Sequence, residues 1–159
     1  MWVAPAVTNK SAMTTLGFQK YSGTNYCHSV QVTNDRKYAL VNDELDELRG
    51  KVPHTRTLIF DLLDLDSPQL AGAYFATTSA IDHNLFVRGD RLYQANYTVG
   101  LRVLDISDRV HPVEVAFFDT YPQSDSAKFA GAWGVYPFLP GGILLVSSIG
   151  EGLFVVQLD

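Results

Sequence analysis

Residues 81–118 read "IDHNLFVRGDRLYQANYTVGLRVLDISDRVHPVEVAFF", which is four short apolar runs separated by turn-forming residues. A Gly-Asp pair separates the first two runs, a polar stretch with glycine separates the next two, and a proline opens the last. Short runs rich in β-branched and aromatic residues between such breaks are typical of antiparallel strands. The segment therefore predicts a sheet of four consecutive strands.

The same pattern occurs earlier in the chain, in "RTLIFDLLDLDSPQLAGAYF" (residues 56–75). Aligned without gaps with residues 100–118, this segment shares four positions: Ile59 with Val103, Asp61 with Asp105, Asp64 with Asp108 and Pro68 with Pro112. An Asp side chain supports a turn through its own hydrogen bonds, and Pro fixes φ where a strand needs no ladder donor. We interpret the two segments as copies of one repeat unit.

Both ends of the chain continue the repeat. The final "EGLFVVQLD" aligns with "VGLRVLDIS", and "TTLGFQKYSGTNYCHS" aligns with "QLAGAYFATTSAIDHN", so that Gly17 falls on Gly72 and His28 on His83. The predicted organisation is an extension over residues 1–13, an outer strand over 14–21, and units over 28–76, 83–119 and 133–159. The last unit lacks its outer strand.

The spacing of the units indicates the fold class. His28 and His83 are 55 residues apart, and Trp133 takes the equivalent place 50 residues further on. Four short strands repeated at roughly this period are typical of β-propeller blades. We therefore predict an all-β protein that forms about three blades of a β-propeller. The alternative is a meander within an ordinary β-sandwich.

Composition excludes several classes of protein. The chain has 159 residues, of which 47% are hydrophobic and 18% charged, as expected of a folded domain. Its net charge of −5 and the absence of a Lys/Arg cluster argue against nucleic-acid binding. No apolar run is long enough to span a membrane. Cys27 is the single cysteine, so no disulfide can form within the chain.

Three blades leave the predicted ring incomplete, since propellers usually have four to eight. Open blade faces would expose large apolar patches, and an unpaired strand would expose its edge. We therefore expect a homodimer through strand exchange and blade faces, in which residues 14–21 complete the last blade of a second copy. The alternative is an open half-ring that pairs with another domain.

Propeller topology also predicts where polar residues gather. The first strand of each blade lies nearest the axis, so its entry loop and the loop between the second and third strands open on the same face. On this face we expect ligand-binding residues Asn84, Asn96, Tyr97 and Trp133, and metal-binding residues His28, Asp43, Glu44, Asp82 and His83. Imidazole with carboxylate suits Zn²⁺ or Mn²⁺, and carboxylates alone suit Ca²⁺. Alternatively, each His forms a ring hydrogen bond that fixes one blade to the next.

Two further expectations concern this face. The loop "NDELDEL" (residues 42–48) is expected to be a solvated acidic lid or contact loop, with calcium binding as the alternative. Tyr97 and Trp133 are expected to contact a protein or glycan ligand. Tyr136 and Phe138 alternate in "VYPF" and are expected in the core.

The segment "GLRVLDISDRVHPVEVAFFDT" resembles the LVIVD repeat. Three longer segments, "CHSVQVTNDRKYALVNDELDE", "IDHNLFVRGDRLYQANYTVGLRVLDISD" and "GAWGVYPFLPGGILLVSSIGEGLFVV", resemble the carboxyl-terminal half of the choice-of-anchor B family. The resemblance implies a propeller from a bacterial secreted or cell-surface protein without an established activity. The chain departs from the family at Ser148 and Gly150, where acidic and charged residues are expected, and it is much shorter.

No catalytic signature is present in the sequence: there is no GxSxG, no HExxH and no phosphate-binding glycine loop. The favoured interpretation is a non-enzymatic interaction module of a bacterial exported or surface protein, with its ligand on the loop face near the axis. The alternative is a metal-dependent, hydrolase-like enzyme with its site in the central funnel around His28 and His83.

Overall fold

The computed structural model describes residues 14–158, and these form three antiparallel sheets. Blade I contains β1 (Cys27–Val32), β2 (Tyr38–Asp43), β3 (Arg56–Asp61) and β4 (Gln69–Phe75). Blade II contains β5 (Asn84–Arg88), β6 (Arg91–Ala95), β7 (Leu101–Asp105) and β8 (Val113–Phe118). Blade III contains β9 (Ala132–Tyr136), β10 (Ile143–Ser148) and β11 (Gly152–Gln157). In each sheet the strands lie side by side in chain order, so the all-β prediction is confirmed.

The two complete blades repeat one another in register as well as in order. Ile59 of β3 pairs with Gly72 of β4, and a bulge follows; Val103 of β7 pairs with Ala116 of β8, and a bulge follows there too. The turns after β3 and β7 are stabilised as the shared Asp positions predict. The Asp61 carboxylate accepts the backbone N–H of residue 63 at 2.8 Å. Asp105 does the same for residue 107.

Apolar side chains between adjacent blades form the two main cores. Between blades I and II lie Leu40, Ile59, Leu85, Val87, Leu92, Leu104 and Ile106. Between blades II and III lie Tyr93, Ala95, Leu101, Val103, Ala132, Val135, Leu144 and Val146. Because blade II is covered on both faces, its strands are apolar on both sides, as are buried sheets generally. The first strands β1, β5 and β9 lie beside one another on the inner side of this stack.

The outward face of blade III carries exposed apolar side chains. Leu153 and Val155 of β11 are each 66% exposed, while Phe154 between them packs against blade II. Tyr136 pairs with Leu145, which pairs with Val155, so these residues share the open face. Tyr136 and Phe138 are 48% and 45% exposed, and the prediction that they belong to the core is therefore wrong. The reason is that blade III has a neighbouring blade on one side only.

Residues 14–20 form no strand in the single chain. They precede Tyr21, whose ring meets Phe60 on the outward face of blade I. The predicted outer strand over 14–21 requires a partner sheet, so it stays a prediction, as does the homodimer. The predicted extension over 1–13 and the last residue, Asp159, lie outside the described residues. Within the described part of the chain, no helix is long and apolar enough to cross a membrane.

Candidate functional site on the axial loop face

The entry segments of the first strands and the loops after the second strands meet at one end of the blades. His28 lies on β1, His83 immediately precedes β5, and Trp133 lies on β9. Glu44 follows β2, and Tyr97 follows β6. These five side chains come from all three blades and contact one another, which is the arrangement that propeller topology predicts for this face.

Two histidines and one glutamate form the centre of the site. One ligand atom from each of His28, Glu44 and His83 lies within 4.8 Å of the other two. His83 Nδ1 is 2.5 Å from Glu44 Oε1, and His28 Nδ1 is 3.9 Å from Glu44 Oε2. The two imidazole rings stack with their centroids 4.6 Å apart. We call these three residues the axial triad.

The surroundings of His83 favour its neutral form. Only 3% of its side chain is exposed, and burial lowers its pKa, although the Glu44 carboxylate opposes that shift. Its Nε2 atom is buried and has no hydrogen-bond partner among residues 14–158. A neutral imidazole is the form that could bind a metal ion.

Tyr97 contacts the axial triad on its buried side. Its side chain is buried, and its hydroxyl donates a hydrogen bond of 2.5 Å to Glu44 Oε1. Burial raises the pKa of the phenol, so it remains a donor. The backbone of Tyr97 has a φ of 42°, which is unusual for an aromatic residue, and pairs with Ala132 of blade III. Backbone strain of this kind tends to occur at functional sites.

Two of the predicted metal ligands lie outside the axial triad. Both carboxylate oxygens of Asp43 are engaged by the segment before β1: the Tyr21 hydroxyl and the backbone N–H groups of Asn25 and Tyr26 donate to them. Asp82 is fully buried, and burial raises its pKa well above its usual value. Its oxygens have no hydrogen-bond partner in the described part of the chain. Asp43 therefore positions a loop, and Asp82 lies in the interior, where burial favours its neutral form.

The four acidic residues of the loop over residues 42–48 are buried, while Leu48 is exposed, so the prediction that the acidic loop is solvated is wrong. Asp46 is fully buried and binds the Arg56 guanidinium at 2.6 Å. Glu47 accepts the backbone N–H of Arg56 at 2.8 Å, and burial, with Asp46 beside it, raises its pKa to about 9. Arg56 opens β3, so the loop folds back onto the strand that follows it. This fold-back carries Glu44 over to blade II.

The predicted ligand-contact residues differ in exposure. Trp133 is 49% exposed, and the centroid of its ring lies 4.4 Å from the centroid of the His83 ring. Asn84 donates to the Trp133 carbonyl at 3.2 Å. Asn96 and Tyr97 are buried and cannot touch a ligand on the surface. Tyr26, two residues before His28 in the sequence, joins the aromatic group of this face: its ring stacks on His28, and its side chain is half exposed.

Comparison with known proteins agrees with this architecture. No family model and no curated protein matches the chain. Among solved structures, the chain is similar to the β-propeller domain of Cps50 (Swd1) from Myceliophteria thermophila, with a TM-score of 0.50 and 12% sequence identity. The match covers 82% of this chain and 41% of that one. The fold is a β-propeller. At this identity the likeness concerns the fold alone, and the chain spans less than half of a propeller domain.

The axial triad has one accessible side. His28 keeps 28% of its side chain exposed, whereas Glu44 and His83 are 9% and 3% exposed. Tyr26 and Trp133 flank this opening with half-exposed rings. The geometry thus provides two nitrogen donors and one carboxylate at the bottom of an aromatic-lined opening.

Proposed function

We propose that the chain is a non-enzymatic binding module that takes its ligand on the loop face beside the propeller axis. The observation that carries this proposal is the convergence of the axial triad, from two blades, at an opening flanked by the Tyr26 and Trp133 rings. Loops on a rigid scaffold are the usual location of binding residues. Aromatic rings beside polar donors are suited to a glycan or to a protein side chain.

The proposed anchor of the ligand is a divalent transition-metal ion bound by His28, Glu44 and His83. Two imidazoles and one carboxylate favour Zn²⁺ or Mn²⁺ over Ca²⁺, which prefers oxygen donors. Tyr97 would hold Glu44 in place through its hydroxyl, as residues behind metal ligands commonly do. Three protein ligands leave a coordination position open on the exposed side of His28, where an oxygen atom of the ligand would bind.

Zinc binding to the purified chain, freed of metal with a chelator, tests this proposal by isothermal titration calorimetry. We expect one zinc ion per chain and at least a tenfold loss of affinity in the His28→Ala variant. This variant removes a partly exposed ring and leaves the buried residues in place. The matched control is His111→Ala, because His111 is 79% exposed and pairs only with Asp108. Equal zinc affinity in the wild type and in His28→Ala would exclude the triad as the binding site.

A metal-dependent, hydrolase-like enzyme is the second candidate. It is favoured by the same open coordination position, because a three-ligand zinc site can activate a bound water. Turnover of model esters or phosphate esters by the zinc-loaded chain, lost in His28→Ala, would support this candidate. Zinc binding without turnover would support the binding module.

The resemblance to the LVIVD-repeat and choice-of-anchor B proteins motivates the rest of the proposal. We propose that the protein is bacterial, that it acts outside the cell or at the cell surface, and that it forms a homodimer through strand exchange and blade faces. Detection of the protein in the secreted or surface fraction of its host would test the location.

A further inference from the structure

We propose that residues 14–21 of one copy form the fourth strand of blade III of a second copy, with Gly17 opposite Val155. This inference specifies the interface of the homodimer proposed above, and it is independent of what binds at the axis. Three structural observations carry it: the strand count of blade III, the position of Gly17 and the exposure of the surfaces that would meet.

Blade III is one strand short of its neighbours. Blades I and II each have four strands, and the outer edges of their third strands, β3 and β7, are paired with β4 and β8. In blade III the third strand, β11, has no partner on its outer edge among the described residues. An unpaired edge presents a row of free N–H and C=O groups that can pair with an added strand.

Gly17 already occupies the position of an outer strand relative to blade I. The outer strand of blade I, β4, runs past the turn of blade II, and a Cβ added to Gly72 would lie 3.8 Å from the Val110 carbonyl oxygen. A Cβ added to Gly17 would lie 2.3 Å from the carbonyl oxygen of Leu65, in the equivalent turn of blade I. Gly17 thus lies beside the turn of blade I that is equivalent to the turn of blade II beside Gly72.

The repeat fixes the register of the exchanged strand. Ile59 pairs with Gly72, and Val103 pairs with Ala116, in each case just before a bulge. The equivalent residue of β11 is Val155, and the equivalent residue of the exchanged segment is Gly17. The same register sets Gln19 opposite Leu153.

The surfaces that would meet are apolar and exposed in the single chain. They are formed by Leu16, Phe18, Val30, Val32, Tyr136, Leu153 and Val155, which are 44–73% exposed. Covering them in both copies would bury on the order of 1,000 Å² of apolar surface, taking 60–120 Å² for a whole side chain. With the backbone of two exchanged strands added, this reaches the size of a stable interface, about 1,200–2,000 Å². A second copy fits both features, since the described residues of each copy offer one unpaired segment and one open edge.

Light scattering and a register-specific crosslink test the inference. We expect a mass twice the 17.6 kDa of one chain. In a Cys27→Ser background, Gln19→Cys with Leu153→Cys should form a disulfide-linked dimer upon mild oxidation, because directly opposed residues lie within disulfide reach. Gln19→Cys with Val155→Cys, two residues out of register, is the matched control, and circular dichroism checks that both variants fold.

The outcomes separate this inference from the homodimer itself. A monomeric wild-type chain would overturn both. A dimer in which the out-of-register pair crosslinks as efficiently, or in which neither pair crosslinks, would overturn the strand exchange and leave a dimer of another kind. The Gln19–Leu153 crosslink at least tenfold more abundant than the control would support the exchange in the stated register.

Discussion

The free energy of unfolding should fall as the pH rises from 7 to 9, because burial raises the pKa of two carboxyl groups, Glu47 and Asp82. Burial raises the pKa of Glu47 to about 9, with Asp46 adding to the shift. Burial also raises the pKa of Asp82 well above its usual value, with Glu47 and Asp46 adding to it. In the unfolded chain both groups ionise at about pH 4. Above that pH the folded state therefore holds more protons than the unfolded state.

Each proton retained on folding lowers the free energy of unfolding by about 1.4 kcal/mol per pH unit. Glu47 alone gives a loss of about 2.5 kcal/mol between pH 7 and pH 9, and the raised pKa of Asp82 acts in the same direction. Against a typical stability of about 5–15 kcal/mol, the change is easily measured. His83 acts in the opposite direction at lower pH only: its pKa is lowered, so the unfolded state binds more protons and stability rises with pH up to about 6.5.

Urea unfolding followed by tryptophan fluorescence at pH 7, 8 and 9 measures the slope. Glu47→Gln should reduce the slope of unfolding free energy against pH by about 1.4 kcal/mol per pH unit, because the amide does not titrate. Asp35→Asn is the matched control: the Thr33 hydroxyl and the Lys37 backbone amide hold the pKa of Asp35 at about 2, so it is ionised throughout this range in both states. Stability that stays constant or rises from pH 7 to 9, or an unchanged slope in Glu47→Gln, would refute the reasoning.

Three substitutions test other parts of the structure in the same unfolding assay. Gly131→Ala should destabilise the fold by about 1–3 kcal/mol, because φ is 85° and the new Cβ would lie 2.4 Å from the Tyr97 carbonyl oxygen. Gly150→Ala is the control and should change the stability little, because open space surrounds Gly150. Tyr97→Phe should cost about 1.5–3 kcal/mol through the lost hydrogen bond to Glu44, and a variant as stable as the wild type would contradict that bond. Leu104→Ala, at a fully buried position, should cost about 2–5 kcal/mol.

The strands of the three blades could be predicted from the sequence because turn-forming residues mark their ends in each repeat. Asp61 and Asp105 each bind the backbone N–H two residues on, which is a local interaction that any reader of the sequence can anticipate. The meeting of His28 with His83 was also predictable, since equivalent positions in successive blades lie at equivalent distances from the axis. Local chemistry and repetition together thus gave the fold and the centre of the candidate site.

The fate of the acidic loop could not be read from the sequence, because it depends on a tertiary contact. A cluster of acidic residues such as Asp46 and Glu47 is usually solvent-exposed. Here both side chains are buried because they accept hydrogen bonds from Arg56, the first residue of β3. The prediction that Tyr136 and Phe138 are buried was wrong because it assumed a tertiary contact that the structure does not have. Their alternation is that of a buried strand, but whether a face is buried depends on a neighbouring blade that the single chain does not provide.

The burial of the loop explains how Glu44 comes to join two blades. Asp43 is fixed by the segment before β1, and Asp46 by Arg56, so the loop is held on both sides of Glu44. Glu44 itself then reaches across to His83 and Tyr97 of blade II. A cation on the axial triad would bind ligands from blades I and II together, and Tyr97 extends the connection to blade III through its pairing with Ala132. Ligand binding at this site would therefore be coupled to the packing of the blades, so zinc should raise the stability of the whole chain and not of one blade alone.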